Sequence, residues 1–126
     1  MRVLLDTHIV LWWLSGHSNL PLRAHTVIAD PEIEVLVSAA TAWEIAIKSA
    51  AGRLDIPDDL SSALEANDFD ALPISVAHAL GVGRLPLHHA DPFDRMLIAQ
   101  AMIEGLTLIS VDPRFRGYDV ELLSLD

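Results

Sequence analysis

Short apolar runs alternate with amphipathic ones along this chain, and the two periods predict different elements. Val3–Leu5, Val35–Val37 and Leu108–Val111 are brief stretches rich in leucine and β-branched residues, the signature of buried strands; Leu72–Ile74 and Val120–Leu123 are weaker candidates. Between them apolar residues recur at helical spacing over roughly Leu20–Ala29, Ala39–Ala51, Asp59–Ala66, Val76–Val82 and Pro92–Ile103, and a further short helix is expected to begin near Thr7. Gly52, Gly81 or Gly83, and Gly105 stand where three of these helices would stop. Strands that alternate with helices imply a parallel sheet covered on both faces, since each parallel crossover lays a helix on the sheet. The expected fold is α/β, with a central, mostly parallel sheet of about five strands flanked by helices. The 126 residues are enough for one domain with a real core, taken as 1–126. The polar stretch Asp55–Asp70 reads as a surface helix with its loops, not as a linker.

Composition narrows this picture. Apolar residues make up 52% of the chain, yet charges, turns or small residues interrupt them well short of the ~18 consecutive positions that a membrane span needs. The start, "MRVLLDTHIVLWWL", has an arginine and an apolar run, but Asp6 and His8 break the run and no small-residue cleavage site follows. A buried strand leading into a helix is the better reading than a secretion signal. With no cysteine, disulfides and thiolate metal sites are excluded, which suits a cytoplasmic protein without membrane association. The 18 acidic against 8 basic residues give a formal charge of −10. A protein that grips nucleic acid through its phosphates is normally basic. Any nucleic-acid function must therefore say what brings phosphates to an acidic surface.

Four carboxylates bear on that question. In open parallel sheets ligands bind beyond the C-terminal strand ends. Asp6 follows the first strand and Asp112 follows "TLISV"; Glu44 lies early in the helix after "EVLVS", and Asp94 in the first turn of "DPFDRMLIAQA". Each also has a plain structural explanation. Asp6 could cap the first helix, Asp112 before Pro113 could cap a turn, and Thr41-Ala-Trp-Glu44 matches a capping box, although Ser38 is an equally good cap. Asp91 before Pro92 is a cap in its own right. Asp94 is different: Leu97, Ile98 and Ala101 follow it on the stripe that should face the core, where a carboxylate is costly without a compensating charge. Four like charges in one place raise their own pKa values unless a cation joins them. Oxygen ligands without cysteine, and without a convincing histidine pair, select Mg2+ or Mn2+, which can hold a phosphate oxygen, activate water and steady a leaving oxygen.

The segments that carry these residues, "LLDTHIVLWWL", "SAATAWEIAIKSAAGRL", "HADPFDRMLIAQA" and "LISVDPRFRGY", resemble the successive motifs of the PIN-domain family, specifically the VapC-type toxins of bacterial toxin–antitoxin pairs. The resemblance runs from Met1 to about Leu123. It implies a compact PIN-like fold and a metal-dependent endoribonuclease whose acidic positions fall on Asp6, Glu44, Asp94 and, after Ser110, on Asp112. It also implies a VapB-type antitoxin as partner, RNA as substrate and assembly as a homodimer. Ala90 stands where some relatives carry a basic residue, which puts a substrate contact there in doubt. Direct contact with the cation is expected above all from Asp6 and Asp94.

Other residues have weaker claims. Arg95 could touch a phosphate, or pair with Asp91 at i+4. Arg114 and Arg116 could steer RNA or be solvated loop charges, and the sole lysine, Lys48, lies one turn after Glu44. Thr7 and Ser110 could orient a carboxylate. His88 and His89 beside Asp91 suggest zinc, but no third ligand stands at suitable spacing. Trp12 and Trp13 point in different directions on one helix, so one is expected inside and the other on a dimer or antitoxin surface. An acidic toxin would suit an antitoxin segment that places a basic side chain among the carboxylates. Two rival classes are a non-catalytic acidic binding module and a receiver-like, Mg-binding signalling domain; the second wants a lysine after a late strand, and Lys48 follows the second. A haloacid-dehalogenase-like phosphatase would need an acid where His8 stands.

Overall fold

The computed structural model describes residues 1–52 and 59–126. In chain order its elements are β1 (Arg2–Leu5), α1 (Thr7–Ser15), α2 (Leu22–Ala29), β2 (Glu34–Ser38), α3 (Ala39–Ala50), α4 (Leu60–Ala66), β3 (Asp70–Leu72), α5 (Val76–Val82), α6 (Pro92–Glu104), β4 (Thr107–Ile109) and a 3-10 turn over Pro113–Gly117. The four strands form one parallel sheet in the order β3-β2-β1-β4, with Val3 opposite Val35 on one side and Thr107 on the other. The chain thus winds outward from β1 through β2 to β3, then returns to the opposite edge of β1. The point where direction reverses lies between β1 and β4. That is where an open sheet splits to admit a ligand. This order also differs from the 2-1-3-4-5 arrangement of flavodoxin-like receiver domains, and it removes the receiver reading.

Alternation along the strands divides the core into two layers, because successive residues point to opposite faces. Val3, Leu5, Val35, Val37 and Ile109 pack with Ile9, Val10, Ala24, Val27 and Phe69 on the side of α1, α2 and α4. Leu4, Leu36, Leu72 and Leu108 pack with Leu97, Ile98, Ala101 and Phe115 on the side of α6. The stripe headed by Asp94 is therefore buried, as its spacing requires.

Two expected strands differ from those observed. The third runs Asp70–Leu72, not Leu72–Ile74, because Pro73 has no N–H to offer a ladder. The fifth, Val120–Leu123, does not form a strand. It makes a single bridge on the β4 edge, where Leu108 N–H donates to Glu121 O (2.8 Å) and Leu123 N–H to Leu108 O (3.0 Å). Among the described residues the sheet accordingly has four strands. β4 also stops at Ile109, which frees Ser110 and Val111 to leave the sheet. Of the polar stretch Asp55–Asp70, α4 supplies the surface helix, capped by Asp59; positions 55–58 lie outside the described residues. The two adjacent tryptophans do not divide into one inside and one outside. Both are half-buried against the same core layer: Trp13 donates its indole N–H to Asn67 (3.0 Å), while Trp12 stacks on His17 (5.9 Å between centroids) where the chain doubles back after Gly16. The exposed tryptophan is Trp43, 60% accessible and edge-on to Phe93.

Ser38 ties the sheet to two helices. Its Oγ accepts Ala40 N–H (2.9 Å) as the cap of α3 and donates to Gln100 Oε1 of α6 (2.6 Å), and both side chains are buried. Ser38→Ala removes a cap and strands a buried carbonyl, so it is expected to destabilise the protein by roughly 2–4 kcal/mol, measurable by chemical denaturation.

Candidate functional site

Asp6 terminates β1. Its backbone N–H donates to Ile109 O (3.0 Å), so the exits of β1 and β4 are pinned side by side. Asp6 occupies the cap position of α1, yet its side chain makes no cap bond; it accepts instead from Ser110 Oγ (2.7 Å) and is 3% exposed. Ser110 in turn accepts the N–H of Asp112 (3.0 Å), which links the first acidic position to the last across the reversal point of the sheet.

Glu44 enters from α3. With Ser38 as the cap, Glu44 falls in the second turn and the Thr41–Glu44 box does not form. Buried at 5% exposure, its Oε1 accepts from Thr7 Oγ1 (2.7 Å) and its Oε2 from Lys48 Nζ (2.6 Å). Asp94 enters from the first turn of α6, where Asp91 caps the helix by accepting the N–H groups of Phe93 and Asp94. The Asp94 Oδ2 lies 2.7 Å from His89 Nε2. Asp112 caps the 3-10 turn and is gripped by Arg114, whose Nε reaches both carboxylate oxygens (3.1 Å each) and whose Nη2 reaches Oδ2 (2.7 Å).

The electrostatics follow from this crowding. Burial pushes the Asp94 carboxyl up to about 6, and the charges of Asp6 and Asp91 push in the same direction; the hydrogen bond with His89 opposes them. Burial also raises Asp6, against the bond from Ser110, with Glu44 adding a smaller upward push. Asp112 goes the other way because the Arg114 guanidinium stabilises its ionised form. Asp6 thus feels Glu44 and is felt in turn by Asp94. The four acidic positions converge on one edge of the sheet.

Other residues fall elsewhere than the sequence suggests. Arg95 neither pairs with Asp91 nor reaches toward the carboxylates. Its guanidinium donates to the carbonyls of Val82, Leu85, Pro86 and His89 and to the Tyr118 hydroxyl, closing the loop between α5 and α6. Lys48 and Arg114 are ion-paired with Glu44 and Asp112. Arg116 lines a cleft of about 380 Å3 together with Pro21, Ser110 and Asp112. Thr7 and Ser110 do hold carboxylates, as just described.

His89 is the residue that sequence reasoning set aside. Its imidazole is buried among the acids, with Nε2 2.7 Å from Asp94 and 3.8 Å from Asp112, and one atom of each of the three lies within 4.8 Å of the others. The neighbours that spacing along the chain did not supply are Asp94 and Asp112, the second too far along the chain for any spacing rule to find. His88 points away, edge-on to Tyr118. Carboxylate oxygens from four segments suit a small, hard divalent ion, which would relieve the repulsion now felt by Asp94.

A parallel α/β sheet with an acidic cleft at its reversal point defines the class. The family model described as PIN domain matches residues 3–121, and the chain belongs to that family. Among curated proteins it is similar to Ribonuclease VapC22 of Mycobacterium tuberculosis (strain ATCC 25618 / H37Rv), 29% identical over 119 residues that cover 92% of this chain and 91% of that one. In fold it is similar to the crystal structure of VapBC2 from Rickettsia felis bound to a DNA fragment from their promoter, with a TM-score of 0.74 at 15% identity and full coverage (100%) of both chains. It is likewise similar to VapBC-1 from nontypeable Haemophilus influenzae, with a TM-score of 0.66 at 18% identity and coverage of 99% and 98%.

The raised Asp94 has a consequence for stability. A carboxyl whose pKa is higher folded than unfolded contributes stability below its ordinary value of 3.8 that is lost as pH rises through about 6. In a chelator, the stability advantage of Asp94→Asn over wild type is therefore expected to grow between those pH values and level off above them, reaching at most about 3 kcal/mol. Urea denaturation of both proteins across that range measures it.

Proposed function

We propose that this protein is a Mg2+- or Mn2+-dependent endoribonuclease, a single PIN-like nuclease domain over residues 1–126 that acts as the toxin of a toxin–antitoxin pair in the cytoplasm. One observation carries the reading: Asp94 and Asp112, far apart in sequence, stand close enough together beside His89 to share an ion, while Asp6 is tied by Ser110 to the same strand exit and acts on Asp94, whose burial leaves it short of compensation. The similarity to a ribonuclease matched over 91% of its own length supports the choice of RNA as substrate. The toxin–antitoxin complexes among the structural neighbours support a VapB-type antitoxin as partner, and assembly with a second copy of this chain is part of the same proposal. Among the described residues no helix is long and apolar enough to cross a membrane.

In this reading Asp6, Glu44, Asp94 and Asp112 hold the ion. When bound, it supplies Lewis-acid polarisation of the scissile phosphate and acidifies water. The chain's own groups do the placing. Ser110 Oγ–H holds Asp6 and Thr7 Oγ1–H holds Glu44, so neither carboxylate is free to turn away. Arg114, 62% exposed at its side chain, and Arg116 offer cationic groups beside the cleft for the phosphates that flank the cut. Local cation thus answers the acidic surface as a whole: phosphate is needed at one point, not along a broad face.

The experiment is RNA cleavage by antitoxin-free protein with Mn2+, compared with Asp6→Asn and Asp94→Asn. Each substitution is expected to cost more than the roughly 10–100-fold that disturbing a ligand's neighbour costs. Equal cleavage by all three would end the assignment. Titration calorimetry with Mn2+ separates the nuclease from a mere acidic docking surface, which would bind the ion only weakly.

A further inference from the structure

The loop between α5 and α6 is fastened far more heavily than a surface connection requires, and several of its fastenings hold His89 in place. Arg95 spreads its guanidinium over four loop carbonyls, among them that of His89 (3.3 Å). The Tyr118 hydroxyl accepts the backbone N–H groups of His88 (3.1 Å) and His89 (2.8 Å) and one N–H of Arg95 (3.3 Å). The imidazole of His89 stands edge-on to Phe115, itself fully buried, at 5.9 Å between centroids. The result is a histidine 3% exposed whose Nε2 faces two carboxylates from different segments, Asp94 at 2.7 Å and Asp112 at 3.8 Å.

The other ring nitrogen settles which way the proton lies. His89 Nδ1 faces the backbone N–H of Asp91 (3.4 Å), a group that can only donate. Nδ1 must then carry the lone pair, so the neutral ring bears its proton on Nε2 and donates it to Asp94. A metal-ligating imidazole has the opposite arrangement, with its far nitrogen donating to a carbonyl or carboxylate.

We propose that His89 is a positioning residue for the divalent ion: its Nε2–H fixes the rotation of the Asp94 carboxylate beside Asp112, leaving the remaining oxygen lone pairs to the ion. This rests on the nuclease reading above. It adds a fifth side chain to the acidic set and gives the clamp built by Arg95 and Tyr118 a purpose. Groups that hold metal ligands in place typically contribute 10–100-fold in metal affinity.

The test is Mn2+ titration calorimetry on metal-stripped protein, with His89→Leu to keep bulk without a donor and His89→Gln to restore an N–H at the Nε2 position. Thermal melts in chelator report whether each variant folds. His89→Leu is expected to bind Mn2+ about 10–100-fold more weakly, and His89→Gln close to wild type. Wild-type affinity in His89→Leu, or equal weakness in both variants, would overturn the proposal while leaving the nuclease reading intact. Electron spin echo spectra of Mn2+ on the wild-type protein need no variant to fold: they are expected to lack coupling to an imidazole nitrogen, and such coupling would make His89 a ligand and overturn its role as donor. No Mn2+ binding by wild type would sink the nuclease reading itself, and this inference with it.

Discussion

Like charges gathered in a half-buried cleft repel one another, and a fold that holds them there must supply the restraint. Here the restraint is a set of short hydrogen bonds, some from distant segments and some from the same turn, each to one carboxylate: Ser110 to Asp6, Thr7 and Lys48 to Glu44, His89 to Asp94, and Arg114 to Asp112. Desolvation still raises Asp6 and Asp94, so the repulsion is not fully offset. The residual strain is local and electrostatic. A small divalent ion is the species that would relieve it, and this links the way the protein folds to the chemistry proposed for it.

The parallel sheet is what makes such a gathering possible. Because β1 and β4 run side by side in the same direction, their exits open onto the same edge, and Asp6 and Asp112 emerge within reach of one serine. Helices α3 and α6 then bring Glu44 and Asp94 in from the layer that covers one face. Apolar contact does the positioning: the Leu97, Ile98 and Ala101 stripe packs α6 on the sheet and so sets where Asp94 begins. In the proposed function a chain of formal charge −10 would accommodate a polyanion at this edge because a bound ion and two nearby arginines would act over a few ångströms, well inside a Debye length of about 8 Å at physiological salt.

Several features were legible before any coordinates. The positions of β1, β2, α3, α5 and α6 follow from apolar period and stop signals, and Asp91 and Ser38 cap the helices that their residue types suggest. The buried stripe behind Asp94 was visible as i+3, i+4 and i+7 spacing. Other readings went astray for identifiable reasons. Val120–Leu123 has the composition of a strand but meets β4 at a single bridge, because strand pairing depends on how the chain returns and not on composition. Arg95 looked like a phosphate ligand or an ion-pair partner, yet five acceptors in the preceding loop and at Tyr118 claim it.

Local order in the chain thus determined the elements, their caps and the residues too polar for the places they occupy. Those properties depend on neighbours within a turn or two, where backbone geometry leaves few choices. Tertiary structure alone decided which side chains share a site: that Ser110 bonds Asp6 from 104 positions away, that His89 sits between Asp94 and Asp112, and that Tyr118 and Arg95 hold it there. Such contacts come from the order of strands in the sheet and the packing of whole layers. No spacing along the chain encodes them, since the distance in sequence between two groups says nothing about their distance in space once a crossover lies between them.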